Sequence, residues 1–161
     1  MKGDPQVIEH LNRALYNELT AINQYFLHAK MFRNWGLKEL AEHEYAESID
    51  EMKHADKLAE RIIFLEGLPN FQKLLPLEIG QSVTEMFQAD MKVEIAAVDR
   101  LRKGIKLMRE RGDVTSANLF EEILADEEHH IDYIETNLEL IDKLGEQLYL
   151  AQCVSRPPTS L

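Results

Sequence analysis

Six residues in this chain have the types and the spacing needed to hold two metal ions. Glu51 and His54 are three apart, as are Glu127 and His130, so on a helix each pair projects from nearly one face. A further glutamate precedes each pair by one interval: Glu18 lies 33 residues before Glu51, and Glu94 lies 33 before Glu127. The two sets superimpose at an offset of 76, so the sequence contains one half-site twice. Four carboxylates are cancelled by two divalent ions, and two neutral imidazoles complete the ligand shell. An isolated Glu-x-x-His pair on an acidic helix is usually a solvated face. Two pairs, each with a partner glutamate at matched spacing, predict a dinuclear site in a helical bundle.

Around these six the same repeat marks supporting residues. Asp50 and Asp126 each lie four positions before a ligand histidine, and either is placed to hold a histidine's distal nitrogen, within its own helix or across a bundle. Tyr25, two turns beyond Glu18, either touches the site and lends an electron or is a buried tyrosine with an ordinary hydrogen bond. His129 is rotated by about 100° from His130 and reads as surface. His10, His28 and His43 have no matching partners and are expected at solvent or at an interface.

The elements that must position these groups are helices. Asp4-Pro5 opens a periodic run ending at Trp35-Gly36, and a second run from about Leu37 ends at Gly67. Ser82 to Glu85 is a capping box opening the third, which stops at Arg111-Gly112. Asp113 or Thr115 starts the fourth, ended by Leu144-Gly145, and 146–153 makes a short fifth. Apolar stripes run along these helices: Ile8, Leu11, Leu15 and Ile22 flank Glu18, while Leu58 and Ile62 follow His54. Val98, Leu101 and Ile105 follow Glu94, and Phe120, Ile123 and Ile134 surround Glu127 and His130. Glu44 and Glu47 join Glu51 on the second stripe, and acidic groups in an apolar line need compensation.

Very short turns join helices one and two, and three and four, as antiparallel hairpins. The segment between Gly67 and Ser82 is long and holds two prolines. It can reach roughly 50 Å, enough to span a thirty-residue helix of about 45 Å. The sequence therefore predicts an all-α fold: a four-helix bundle with one long crossover, helices two and three parallel, and a short fifth C-terminal helix. Residues 1–153 form the expected domain, with 154–161 as a loose tail.

A chain of 161 residues with 45% hydrophobic and 29% charged residues is long enough to bury a full core. Its net charge of −11 argues against nucleic acid and anionic membranes as partners. Cys153 is the lone cysteine, and no signal peptide or membrane span is evident, so a cytoplasmic setting is expected. One position after the ligand line, Tyr16, Leu19 and Phe26 on helix one and Tyr45, Ile49, Met52, Ala59 and Ile63 on helix two form a second apolar stripe. A monomeric bundle needs one apolar face per helix, so a second implies a symmetric dimer. Met52 then either packs that seam or meets its symmetry mate across the axis.

From residue 1 to about 150 the chain resembles the bacterioferritins, in MKGDPQVIEHLN, ELTAINQYFLH, ESIDEMKHADK, RIIFLEGLPN and DEEHHIDYIE. The resemblance implies a ferritin-like bundle assembled into a two-dozen-subunit homo-oligomeric cage that oxidises Fe(II) with dioxygen or hydrogen peroxide and stores the ferric product. It implies Glu18, Glu51, His54 and Glu127 around one iron, and Glu94, Glu127, His130 and Glu51 around the other. It also implies Met52 as axial ligand of a haem b, one per two subunits, serving as an electron relay that a ferredoxin-type protein reduces. Ala46 is a departure: some members carry a histidine there that joins residue 50 in an inner-surface iron site. A small di-iron oxidase or peroxidase without storage is the main alternative, and a structural bundle holding zinc or manganese is a third.

Overall fold

The computed structural model describes residues 1–154, and the expected tail lies outside them from residue 155 on. Five helices follow one another: α1 (Pro5–Asn34), α2 (Lys38–Phe64), α3 (Val83–Glu110), α4 (Val114–Leu144) and the short α5 (Glu146–Cys153). Local chemistry sets their starts. Asp4 accepts from the Gln6 backbone N–H at 2.8 Å, with Pro5 in the first turn. Ser82 Oγ accepts from Glu85 N at 3.1 Å, and the Glu85 carboxylate reaches back to Gln81 N at 2.8 Å. Asp113, not Thr115, caps α4 by accepting from Ser116 N at 3.0 Å. Gly112 and Gly145, at φ of 76° and 78°, follow α3 and α4 where the chain must turn through a conformation that glycine adopts freely.

α1 packs against α2 and α3, and α4 against α3, α2 and α5. Gly3 N donates to Leu65 O at 3.0 Å, which ties the end of α2 to the start of α1. At the other end the Phe32 and Phe87 rings lie 6.1 Å apart, joining the end of α1 to the start of α3. The crossover therefore travels the length of the bundle, and α2 and α3 run parallel.

α1 carries the crossover on Asn12, Thr20, Gln24 and His28, which follow one another at multiples of four residues in a row that winds slowly round the helix. Asn12 Oδ1 accepts from Asn70 N (2.9 Å), Thr20 Oγ1 from Leu75 N (3.0 Å), Gln24 Oε1 from Glu78 N (3.1 Å) and His28 Nε2 from Gly80 N (3.1 Å). An extended segment without a partner strand leaves its N–H groups to side chains, and this row supplies the acceptors. His28, expected at solvent or an interface, is instead fully buried at the end of the row. A lone histidine was no sign of this; the four-residue spacing was.

The core falls into two apolar clusters. One gathers Leu11, Leu15, Leu58, Ile62, Leu101, Met108, Phe120 and Ile123. The other gathers Phe32, Leu40, Met86, Phe87, Ile134, Ile141 and Tyr149. Ile8, Ile22 and Ile105, expected on the core line, are only partly buried and pack from its edge. Gly104 allows α3 to approach α4 closely: a methyl group there would overlap the fully buried Phe120 ring. Gly104→Ala is therefore expected to destabilise the fold by about 1–3 kcal/mol, the usual cost of overpacking. At roughly 2–4 °C per kcal/mol for this size, thermal melting reads it directly, and an unchanged midpoint would mean that the ring has room to move.

Candidate metal centre

Glu18, Glu51, His54, Glu94, Glu127 and His130 are all buried, between the two apolar clusters. α1 contributes Glu18, α3 contributes Glu94, and α2 and α4 contribute one Glu-x-x-His each. Their donor atoms form two quartets, Glu18–Glu51–His54–Glu127 and Glu51–Glu94–Glu127–His130, each with all four atoms within 4.8 Å of one another. Glu51 and Glu127 belong to both.

Both imidazoles turn Nδ1 inward. His54 Nδ1 lies 3.2 Å from Glu51 and from Glu127, and 3.6 Å from Glu18. His130 Nδ1 lies 3.0 Å from Glu51 and 3.4 Å from Glu94. The outer nitrogens are held by carboxylates, which fixes ring orientation and leaves Nδ1 as the donor to a metal. For His54 the partner is Asp126, at 2.9 Å across the bundle. For His130 it is Glu47, although the repeat pointed to Asp50. Asp50 is half exposed and faces Lys53 at 3.4 Å. Glu47 is one turn nearer the start of α2 and points inward with a longer side chain, so it reaches the ring first. The repeat thus holds for the six converging side chains and breaks at the carboxylates beside them. Tyr25 is buried and donates its hydroxyl proton to Glu94.

Burial pushes the Glu18 and Glu127 carboxyls well up, and neighbouring glutamates push them further. Burial acts the same way on Glu51, but hydrogen bonds from Glu18, His130 and His54 outweigh it and hold that group well below the usual carboxylate range. Burial alone would lower the two imidazoles, yet their carboxylate partners raise both strongly. Without metal, protons take the place of cations. Glu94 Oε2 nevertheless stays buried without a hydrogen-bond partner, and Glu51 Oε1, Glu127 Oε1 and His130 Nδ1 meet other atoms of the site only in poor hydrogen-bond alignment. Inward-facing oxygen and nitrogen donors left unpaired in a buried site fit divalent ions of the iron, zinc and manganese type.

A pH dependence follows. Glu18, Glu127, His54 and His130 all have raised values in the fold, so the stability they give is present below their unfolded values and is lost as pH rises through the folded ones. Glu51 acts oppositely, but only in acid. The metal-free protein should therefore melt lower at pH 9 than at pH 6, by at least roughly 2–4 °C, the shift equivalent to one kcal/mol. Zinc should cancel most of that drop by replacing the protons. Scanning calorimetry checks it, and a metal-free midpoint that rises with pH would contradict the assignment.

A cleft of about 550 Å³ leads from the surface to His54 and His130, lined by His43, Asp50, Lys53 and His129 among others. His43 is half-buried, stacked on Tyr133 at 3.5 Å, whereas His129 is exposed as expected. Met52, rotated by about 100° from Glu51 on α2, is 52% exposed, with Phe26, Tyr45 and Ile63 also uncovered on the second stripe. Ala46 is exposed as well.

A four-helix bundle with glutamates and Glu-x-x-His pairs converging in its core has the architecture of the carboxylate–histidine metalloproteins. The chain matches the ferritin-like domain family over residues 8–144. It is 60% identical over 159 residues to the bacterioferritin of Mycolicibacterium paratuberculosis, covering 99% of this chain and all of that one. It is 62% identical over 156 residues to the bacterioferritin of Streptomyces coelicolor, covering 97% and 93% of the two chains. The solved structure of Mycobacterium tuberculosis bacterioferritin superimposes with a TM-score of 0.96 at 60% identity, over 99% of this chain and all of that one. The chain belongs to the ferritin family and, within it, to the bacterioferritins. Among the described residues no helix is long and apolar enough to cross a membrane.

Proposed function

We propose that this protein captures Fe(II) at Glu18, Glu51, His54, Glu94, Glu127 and His130, oxidises it with dioxygen or peroxide, and stores the ferric product as mineral within a cage of many copies. The observation that carries this reading is the pair of buried donor quartets sharing Glu51 and Glu127, with orphaned oxygens facing inward. Fe(II) entering them takes the place of protons on Glu18, Glu127, His54 and His130, so uptake releases protons and weakens as pH falls. Shared carboxylates keep two ions close while their negative charge offsets the mutual repulsion. Asp126 and Glu47 hold the histidines in their ligating orientation throughout.

The uncovered stripe around Met52 supports a two-fold dimer as the building unit and fits a haem at its axis. A soft, neutral thioether among exposed apolar side chains offers one axial ligand per subunit, and the porphyrin edge would lie on apolar surface. Bound haem would supply a one-electron carrier, consistent with a ferredoxin-type reductant passing electrons to the ferric mineral. Cytoplasmic location fits a chain with the single cysteine Cys153.

Storage separates this reading from a small di-iron oxidase or peroxidase. Light scattering of the purified protein, followed by aerobic Fe(II) loading and gel filtration, tests it. The expected result is a large closed particle that co-elutes with far more ferric iron than two ions per subunit. Monomers or dimers that oxidise Fe(II) but release the product would favour the small oxidase.

A further inference from the structure

Beside the metal centre, α1, α2 and α3 bury a second set of ionisable side chains that the function above does not use: His28, Glu44 and Asp90. Their donor atoms lie within 4.8 Å of one another, a spacing that a metal ion can span. The hydrogen bonds argue for a proton instead. His28 Nε2 accepts the Gly80 N–H at 3.1 Å, so the ring proton is on Nδ1 and is donated to Asp90 Oδ1 at 2.9 Å. Gln24 Nε2 donates to the same oxygen at 2.8 Å. With that tautomer, His28 presents no lone pair to the cluster.

Asp90 Oδ2 and Glu44 Oε1 remain, both buried and without a hydrogen-bond partner. Two carboxylates this close and this dry cannot both be ionised, and one shared proton relieves them. Asp90 Oδ1 already accepts two N–H donors, from Gln24 and His28. Burial first, and then the charge of Asp90, pushes the Glu44 carboxyl well up, which leaves the proton on Glu44. Tyr25 from α1, Glu47 from α2, Glu94 from α3 and Tyr133 from α4 face the same point. Together with Glu44, Asp90 and Ile134 they line a small, partly open recess of about 10 Å³, close to the least volume that holds one water molecule. Across it, Tyr25 is already hydrogen-bonded to Glu94 of the metal centre.

We propose that Glu44 stores a proton and delivers it, through this cavity beside Tyr25 and Glu94, to the oxidant that is reduced at the metal centre. The proposal rests on the ferroxidase reading. Two Fe(II) give up one electron each; dioxygen takes both with two protons and leaves as hydrogen peroxide, or peroxide takes both with two protons and leaves as two waters. Glu44 supplies one proton, its carboxyl O–H bond breaking as an O–H bond of the product forms, and solvent supplies the other. Hydrolysis of the ferric product releases protons, one of which restores Glu44.

Glu44→Gln tests this, because glutamine keeps the shape, the neutrality and a donor toward Asp90. Zn(II), which is not oxidised, strips protons from the ligand set and leaves the one on Glu44. The infrared difference spectrum between zinc-loaded parent and zinc-loaded Glu44→Gln should show the band of one protonated carboxyl group. The variant should bind zinc with the parent's stoichiometry and oxidise Fe(II) on the order of a hundredfold more slowly, the lower end for general acid catalysis. Its rate should also gain a steeper rise toward low pH and a larger solvent deuterium effect. Absence of the carboxyl band would overturn the proposal, as would loss of a third zinc ion per subunit, which would make the cluster a metal site. A parent that oxidises Fe(II) no faster than the variant would overturn the delivery alone. A parent that shows the band but oxidises no Fe(II) would overturn the proposed function as well.

Discussion

Replacing Glu127 with alanine is expected to slow Fe(II) oxidation by more than a hundredfold while the protein stays folded. Changes to residues that merely orient ligands cost roughly 10–100-fold, and Glu127 stands in both donor quartets, so its loss removes an oxygen from each. The fold should tolerate the change because buried carboxylates repel one another here: Glu127 is pushed up by burial and by Glu18, Glu51 and Glu94. Glu94→Ala and His130→Ala, each a member of one quartet, should also slow oxidation severely. Far-ultraviolet circular dichroism and melting control for folding. Rates in these variants equal to the parent's, after loading from the metal-free state, would remove the dinuclear centre from the mechanism.

Met52→Leu should abolish haem binding and leave the first turnover of Fe(II) oxidation near normal. Leucine keeps volume and apolarity, so packing at the seam should cost under about 1.5 kcal/mol. The thioether has no substitute, because the neighbouring uncovered side chains Phe26, Tyr45 and Ile63 carry no sulfur or imidazole donor. Since Met52 projects away from the buried quartets, the two chemistries should separate in one variant. In the parent, occupancy should not exceed one haem per two subunits. A variant that retains haem with an unchanged spectrum would reduce Met52 to interface packing.

The convergence of the six candidate residues was legible because they break a pattern: glutamates recur at spacings of 33 and 76 in stripes that are otherwise apolar. The helix ends were legible because caps and glycines act within three or four residues. The crossover could be placed from its length alone. What supports the ligands was less legible, because it depends on reach between helices rather than on spacing along one. Asp126 lies where His54 Nε2 points, but Glu47 displaces Asp50 at His130, and no periodicity distinguishes a glutamate that turns inward from an aspartate one turn later that turns out. His28 was misplaced for a related reason. Its burial follows from the backbone N–H of Gly80, 52 residues away, and only the row of Asn12, Thr20, Gln24 and His28 hinted at a polar track along α1.

One subunit is expected to hold and oxidise two iron ions within its own bundle. A rapid-mixing titration of metal-free protein with Fe(II) in aerated buffer tests it most directly. The fast absorbance phase of ferric product should grow linearly and then break sharply at about two Fe(II) per subunit, one for each quartet of donors. A fast phase that is missing, or one that breaks at a single ion per two subunits, would contradict the account.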